Sequence, residues 1–146
     1  MTRRLTRIQT LLKVSGIRKK QAEAALAGRR TELHAAETQR EANLGRLAET
    51  ASMPTGTVSS LELRRQRTDL RIDAVINSNE QVEVSAQMVE EARLRWQDAS
   101  RQRRSMEELD KRERAVQAVL AARAAERATD DALRARRRVP SEGASE

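Results

Sequence analysis

The side chains equipped for chemistry in this 146-residue chain are one histidine, one tryptophan and the acidic neighbours Glu90-Glu91, Glu107-Glu108 and Asp130-Asp131; there is no cysteine. A metal site needs several converging donors, and His34 has neither a cysteine nor a second histidine near it, so it is expected on a solvated helix face. General acid–base work needs two carboxylates aimed at one point, whereas adjacent residues on a helix diverge by about 100°. The acidic pairs are therefore expected to be solvated or paired with arginines one turn away. Trp96 falls on an apolar heptad, where packing is the expected role. No G-x-x-x-x-G-K-[ST] phosphate loop occurs. Without cysteine there is no disulfide or thiol chemistry, which fits a reducing compartment. The chain is expected to be no enzyme and to carry no metal or cofactor.

What remains is charge. The formal net charge is +7, and it is unevenly placed. Residues 1 to 20 hold Arg3, Arg4, Arg7, Lys13, Arg18, Lys19 and Lys20 with no acid, a net +7, and residues 111 to 138 hold a net +5. Residues 21 to 110 carry −3 and the tail −2. A hairpin would bring the two basic segments to one end, producing a one-sided, salt-sensitive field that steers a partner. Thr2 to Lys20 is Arg-rich and amphipathic in the manner of a targeting peptide, but the same pattern continues into Ala22, Leu26 and Leu33. This end is expected to belong to the mature protein.

The elements that position these charges follow from composition and period. Only 1% of the residues are aromatic and 35% are charged, with Ala, Arg, Glu and Leu dominant. This is the composition of long paired helices with a narrow seam. No apolar run approaches the roughly 20 residues of a membrane span. Ala51 to Ser60 contains Pro54 and Gly56, so the chain is expected to reverse there: proline stops the helix and Gly56 is free to take a positive φ. Ser59 or Ser60 would cap the next helix, with Glu62 as a first-turn carboxylate. The fold class is all-α, an elongated two-helix antiparallel coiled-coil hairpin. The expected arrangement is a single domain over 1–146, with helix one about 3–51, hinge 52–59, helix two about 60–138 and a disordered tail over 139–146.

Helix one places Leu5, Ile8, Leu12, Ala22, Leu26, Leu33, Ala36, Leu44 and Leu47 on one side, interrupted by Lys19, Arg29 and Arg40. Gly16, Gly28 and Gly45 each weaken the helix by roughly 1 kcal/mol relative to alanine, and their small size would allow close approach of the other arm. Helix two shows Val75, Val82, Val89 and Trp96 at strict intervals of seven, continued by Ala92, Ala99, Met106, Val116 and Leu120, which implies a left-handed supercoil. Folding about Gly56 sets Leu5 opposite a residue near 107 and leaves about 30 residues of helix two overhanging. That overhang keeps an uncovered stripe of Leu109, Val116, Leu120, Ala124 and Leu133, the mark of an interaction surface. The residues alone leave three readings open: a protein-docking stalk, a basic nucleic-acid-binding coiled coil, and a homodimeric scaffold. The second lacks aromatics for base stacking, so nucleic acid is not the expected partner.

Several motifs carry a resemblance. Met53-Pro54-Thr55-Gly56-Thr57-Val58-Ser59-Ser60, Met106-Glu107-Glu108-Leu109-Asp110-Lys111-Arg112, and the closing run Arg123, Glu126-Arg127 and Asp130-Asp131 resemble the corresponding segments of the flagellar export protein FliJ family, the stalk of the type III export ATPase. The resemblance spans nearly the whole chain. It implies a cytoplasmic protein at the cytoplasmic face of the inner membrane, with both termini inserted into a hexameric export ATPase. It also implies contacts with the cytoplasmic domain of the export gate and with export chaperones. For the ring contact the candidates are Leu5, Ile8 and Leu12 with Val116, Leu120, Arg123, Arg127 and Leu133. By matched position, the gate contact would use Thr68, Ile72, Val75 and Asn79, Thr68 standing where the family tends to carry a large apolar residue.

Overall fold

A computed structural model describes residues 3–54 and 56–138. The chain is all-α, a two-helix antiparallel coiled-coil hairpin with the second helix overhanging. Helix α1 runs Arg3–Ala51 and helix α2 runs Val58–Arg138, 49 and 81 residues long. The expected disordered tail over 139–146 lies outside the described residues. The chain divides into two compact units, Ser15–Gln102 and the pair Met1–Val14 with Arg103–Glu146.

In the Ser15–Gln102 unit, buried and half-buried residues recur at alternating intervals of three and four. On α1 they include Ala22, Leu26, Arg29, Leu33, Ala36, Arg40, Asn43, Leu47 and Thr50; on α2, Val75, Ser78, Val82, Ser85, Val89, Ala92, Trp96 and Ala99. That alternation is the 3.5-residue repeat of a coiled-coil seam. Leu44, expected in the seam, is exposed, and Asn43 takes its place. The Asn43 Nδ2 donates to the Ala74 carbonyl at 3.2 Å, while its Oδ1 accepts from Gln39 Nε2 and Arg46 Nη1. A polar side chain satisfied across the seam lowers packing energy but specifies alignment.

The turn differs from expectation in three ways. Thr57, not Ser59 or Ser60, caps α2: its Oγ1 accepts from the Ser60 amide at 3.2 Å, and its own amide donates to Ser60 Oγ at 3.0 Å. This is a capping box with serine in the reciprocal place usually held by Glu or Gln. Gly56 does not adopt a positive φ, and a Cβ there would meet nothing within 4 Å. The chain also does not fold symmetrically about Gly56. Arg64 Nη2 on α2 donates to the Ala51 carbonyl at 2.8 Å and its Nη1 to the Met53 carbonyl at 3.4 Å. The connection thus runs back beside the first turns of α2, and a guanidinium satisfies carbonyls that the end of α1 leaves open.

In the other unit, Leu5 of α1 and Asp110 and Glu113 of α2 are buried, and Ile8, Leu12, Met106 and Gln117 are half-buried. Arg4 Nε lies 3.5 Å from Glu113 Oε2, so Leu5 sits opposite residues near 112, about one and a half turns beyond the expected 107. The displaced turn is the reason. Among the described residues Gln117 is the last half-buried one, and 118–137 are exposed throughout, making the overhang shorter than the expected 30 residues.

Gly28 and Gly45 face open space, with nothing within 4 Å of an added Cβ, so they do not serve close approach of the arms. Gly28→Ala and Gly45→Ala are each expected to raise stability by about 0.5–1 kcal/mol in urea unfolding, since only helix propensity changes. Thr57→Ala is expected to lower stability by about 1 kcal/mol through loss of the cap. An unchanged urea midpoint for Thr57→Ala would show that the box contributes nothing.

Candidate functional site

Alpha helices repeat about every 3.6 residues, so positions four, seven and eleven apart share a face. Val116, Leu120, Arg123 and Arg127 share one on α2, and Leu109 and Arg134 extend it. Leu133 lies roughly 100° away around the helix and does not join them. Val116 and Leu120 were expected to continue the seam, but Asp110, Glu113 and Gln117 occupy it instead, and Leu109 stands uncovered as expected. The aliphatics are displaced to a flank, where Val116 is 52% and Leu120 51% exposed.

That flank is open in the paired part of the unit as well as in the overhang. Arg4, Ile8, Leu109, Arg112, Glu113, Val116, Gln117 and Leu120 line one groove of about 550 Å³. The structure therefore brings Ile8, Val116 and Leu120 together. Leu5 and Leu12 do not line the groove and belong to the packing beneath it. Arg123 and Arg127 lie farther along the same face and are exposed, as is Leu133 on its separate side. Sequence reasoning missed Arg4 and Arg112 as groove residues. The signal was available in the spacing of Leu109, Arg112 and Val116, at intervals of three and four.

Charge is arranged differently along α2. Arg103 pairs with Glu107 at 2.8 Å, Arg114 with Asp110 at 2.8 Å, and Arg4 with Glu113. Among the described residues, no ion pair joins Arg123, Arg127 or Arg134 to a carboxylate. Arg4, Arg103 and Arg114 are thus tied down by their own helix or its neighbour, whereas Arg123, Arg127 and Arg134 stay available. The groove supplies apolar contact and the helix beyond it carries Arg123, Arg127 and Arg134 with Asp130 and Asp131 among them, a combination suited to docking a protein surface that offers both apolar and charged groups.

In the Ser15–Gln102 unit the second expected patch divides. Thr68 and Val75 are half-buried on the seam, and the Thr68 hydroxyl donates to the Arg64 carbonyl at 2.9 Å. Ile72 is 41% exposed, and Asn79 is exposed beside it. Ile76, 49% exposed, shares their flank and was missed because it precedes a seam valine by seven minus one residues, off the strict heptad.

The residues considered for catalysis do not converge. His34 is exposed, Glu90 and Glu91 pair with Arg93 and Arg95, and no group of three potential metal ligands occurs among the described residues. Trp96 is half-buried on the seam, its indole N–H buried without an acceptor. No described helix is long and apolar enough to cross a membrane.

No curated protein and no solved structure matches the chain. The family model for the flagellar FliJ protein does match, over residues 4–140. An all-helical pair with an open, arginine-bearing helix end and a match across nearly its full length place this chain in the flagellar FliJ protein family, components of the flagellar export apparatus.

Proposed function

We propose that the chain is a non-enzymatic stalk and adaptor of the bacterial flagellar type III export apparatus, working as one coiled-coil domain at the cytoplasmic face of the inner membrane. Its paired termini insert into the hexameric export ATPase, and α2 just after the turn contacts the cytoplasmic domain of the export gate. The export chaperones are further partners. The observation that supports this reading is the groove of Ile8, Val116 and Leu120 continuing into the exposed Arg123 and Arg127 on one helix face.

The mechanism is mechanical. A helical end with one apolar face can touch only some of six equivalent subunits at a time. If stalk orientation alters nucleotide affinity in a subunit, nucleotide state must bias stalk orientation by the same coupling free energy. Leu109, Val116 and Leu120 would supply contact area. Arg123 and Arg127 would supply orientation and association rate more than net affinity. Leu5 and Leu12 would act from beneath, by holding α1 against α2 so that the groove keeps its shape. On the gate side, Ile72 and Asn79 would make contact, while Thr68 and Val75 support the flank from the seam.

The rival readings meet specific obstacles. Glu126, Asp130 and Asp131 interleave with the overhang's arginines, which weakens a continuous track for a phosphate backbone. Two copies paired through their overhangs would bring like net charge together.

A chain ending after Gln117 removes, among the described residues, only exposed helix, and is expected to lose most of its stimulation of the cognate ATPase ring while retaining its thermal midpoint. Val116→Gln with Leu120→Gln is expected to weaken ring binding by about tenfold, equivalent to about 1.4 kcal/mol. Equal stimulation by the full and shortened chains would remove the basis of the stalk reading. On the gate side, Ile72→Glu with Ile76→Glu is expected to reduce affinity for the gate's cytoplasmic domain about tenfold without unfolding the pair, since both residues are exposed. Val75→Ser should instead lower stability, as read by urea unfolding. Unaltered gate affinity in the Ile72/Ile76 variant would move the contact elsewhere.

A further inference from the structure

The turn end of the hairpin carries exposed apolar residues in an arrangement the stalk reading does not use. Val58, the first residue of α2, is 84% exposed, and Leu61, Leu63 and Met53 are 53%, 49% and 43% exposed. They do not form a helix stripe. Leu61 and Leu63, two residues apart, point to sides of α2 about 160° from each other. What they share is axial position: Val58 to Leu63 spans about 7.5 Å of helix, with Met53 packed beside it. Met53, Pro54 and Leu63 line one small cavity there.

Directly behind this layer comes a basic one. Arg64, Arg65 and Arg67 follow on successive sides of α2, Arg71 stands one turn farther, and Arg46 of α1 lines a groove with Arg67 and Arg71. The acidic groups near this end are Glu49, Glu62 and Asp69, one fewer than the arginines of α2 alone. There is no acidic residue in the first turn of α2.

A protein partner lying along a helix reads one azimuth, as a groove reads a stripe. A plane meeting the helix end-on reads axial layers and ignores azimuth. Apolar residues first and cations immediately behind is the order in which a bilayer presents its acyl boundary and then its anionic headgroups. The depth of the apolar layer also matches the roughly 5–10 Å reached by interfacial elements. We propose that the turn end, Met53 with Val58 to Arg67, is an anionic-lipid-binding tip that seats shallowly in the bilayer surface. This rests on the proposed placement at the membrane face and names the surface that touches it.

The test uses the purified full chain with vesicles of phosphatidylethanolamine and phosphatidylglycerol, and with vesicles of phosphatidylcholine alone. Because the native sequence has no cysteine, Val58→Cys accepts a single environment-sensitive fluorophore, with Ile76→Cys and Ala128→Cys as separate reporters of other faces. Co-sedimentation with the anionic vesicles is expected, with blue-shifted, quencher-protected emission from the label at 58 and neither change at 76 or 128. Val58→Gln with Leu61→Gln is expected to lower the partition coefficient about tenfold. Arg65→Glu with Arg67→Glu is expected to abolish the preference for anionic lipid. All four side chains are exposed or flank the turn, and an unchanged helical circular dichroism spectrum confirms that the fold survives. No co-sedimentation with anionic vesicles would overturn the proposal. So would co-sedimentation with an unshifted label at 58, which would show attachment through the basic segments elsewhere. Stimulation of the ATPase ring is measured without lipid, so failure of the tip leaves the stalk reading standing, and the converse holds.

Discussion

A two-helix pair can bury only one stripe on each helix, and here that stripe is filled sparingly. Among the described residues the buried apolar side chains are Leu5, Leu26 and Ala92, while Ser15, Asn43, Thr50, Ser78, Asp110 and Glu113 are buried polar ones. The interface therefore works through repeat and alignment more than through a large hydrophobic core. Polar seam residues leave aliphatic side chains such as Leu109, Val116, Ile72 and Ile76 to flanks that nothing in their own unit covers. Surfaces for partners are a direct product of the way the seam is composed.

Much of this was legible from periodicity. Val75, Val82, Val89 and Trp96 stand where a strict seven-residue repeat puts them, because β-branched and bulky side chains at that interval leave little ambiguity about which face turns inward. The repeat was misread where hydrophobicity and position disagree. Leu44 beside Asn43, and Val116 beside Gln117, draw attention as apolar residues, yet the interval of three and four selects their polar neighbours. The open arginines of the overhang were foreseen as a group, but the groove was not, since it depends on which α1 residue faces which α2 residue.

That alignment was the least readable feature, and the reason lies in the turn. Pro54 and Gly56 announce a reversal without stating its geometry. The path beside α2, fixed by Arg64 on the carbonyls of Ala51 and Met53, comes from contacts between residues eleven and thirteen apart. No local propensity encodes it. Thr57 with Ser60 was visible as a spacing, but a serine in the place usually taken by Glu or Gln made the flanking serines look like the better caps.

Asn43 has a consequence for how such a pair bears force. Its amide is matched to one carbonyl on the facing helix and to two side chains on its own. Sliding one helix along the other by part of a heptad would take this amide off the Ala74 carbonyl while many aliphatic contacts persisted. Resistance to shear thus comes from a discrete chemical latch, whereas bending, which leaves the latch closed, meets only the compliance of the helices themselves.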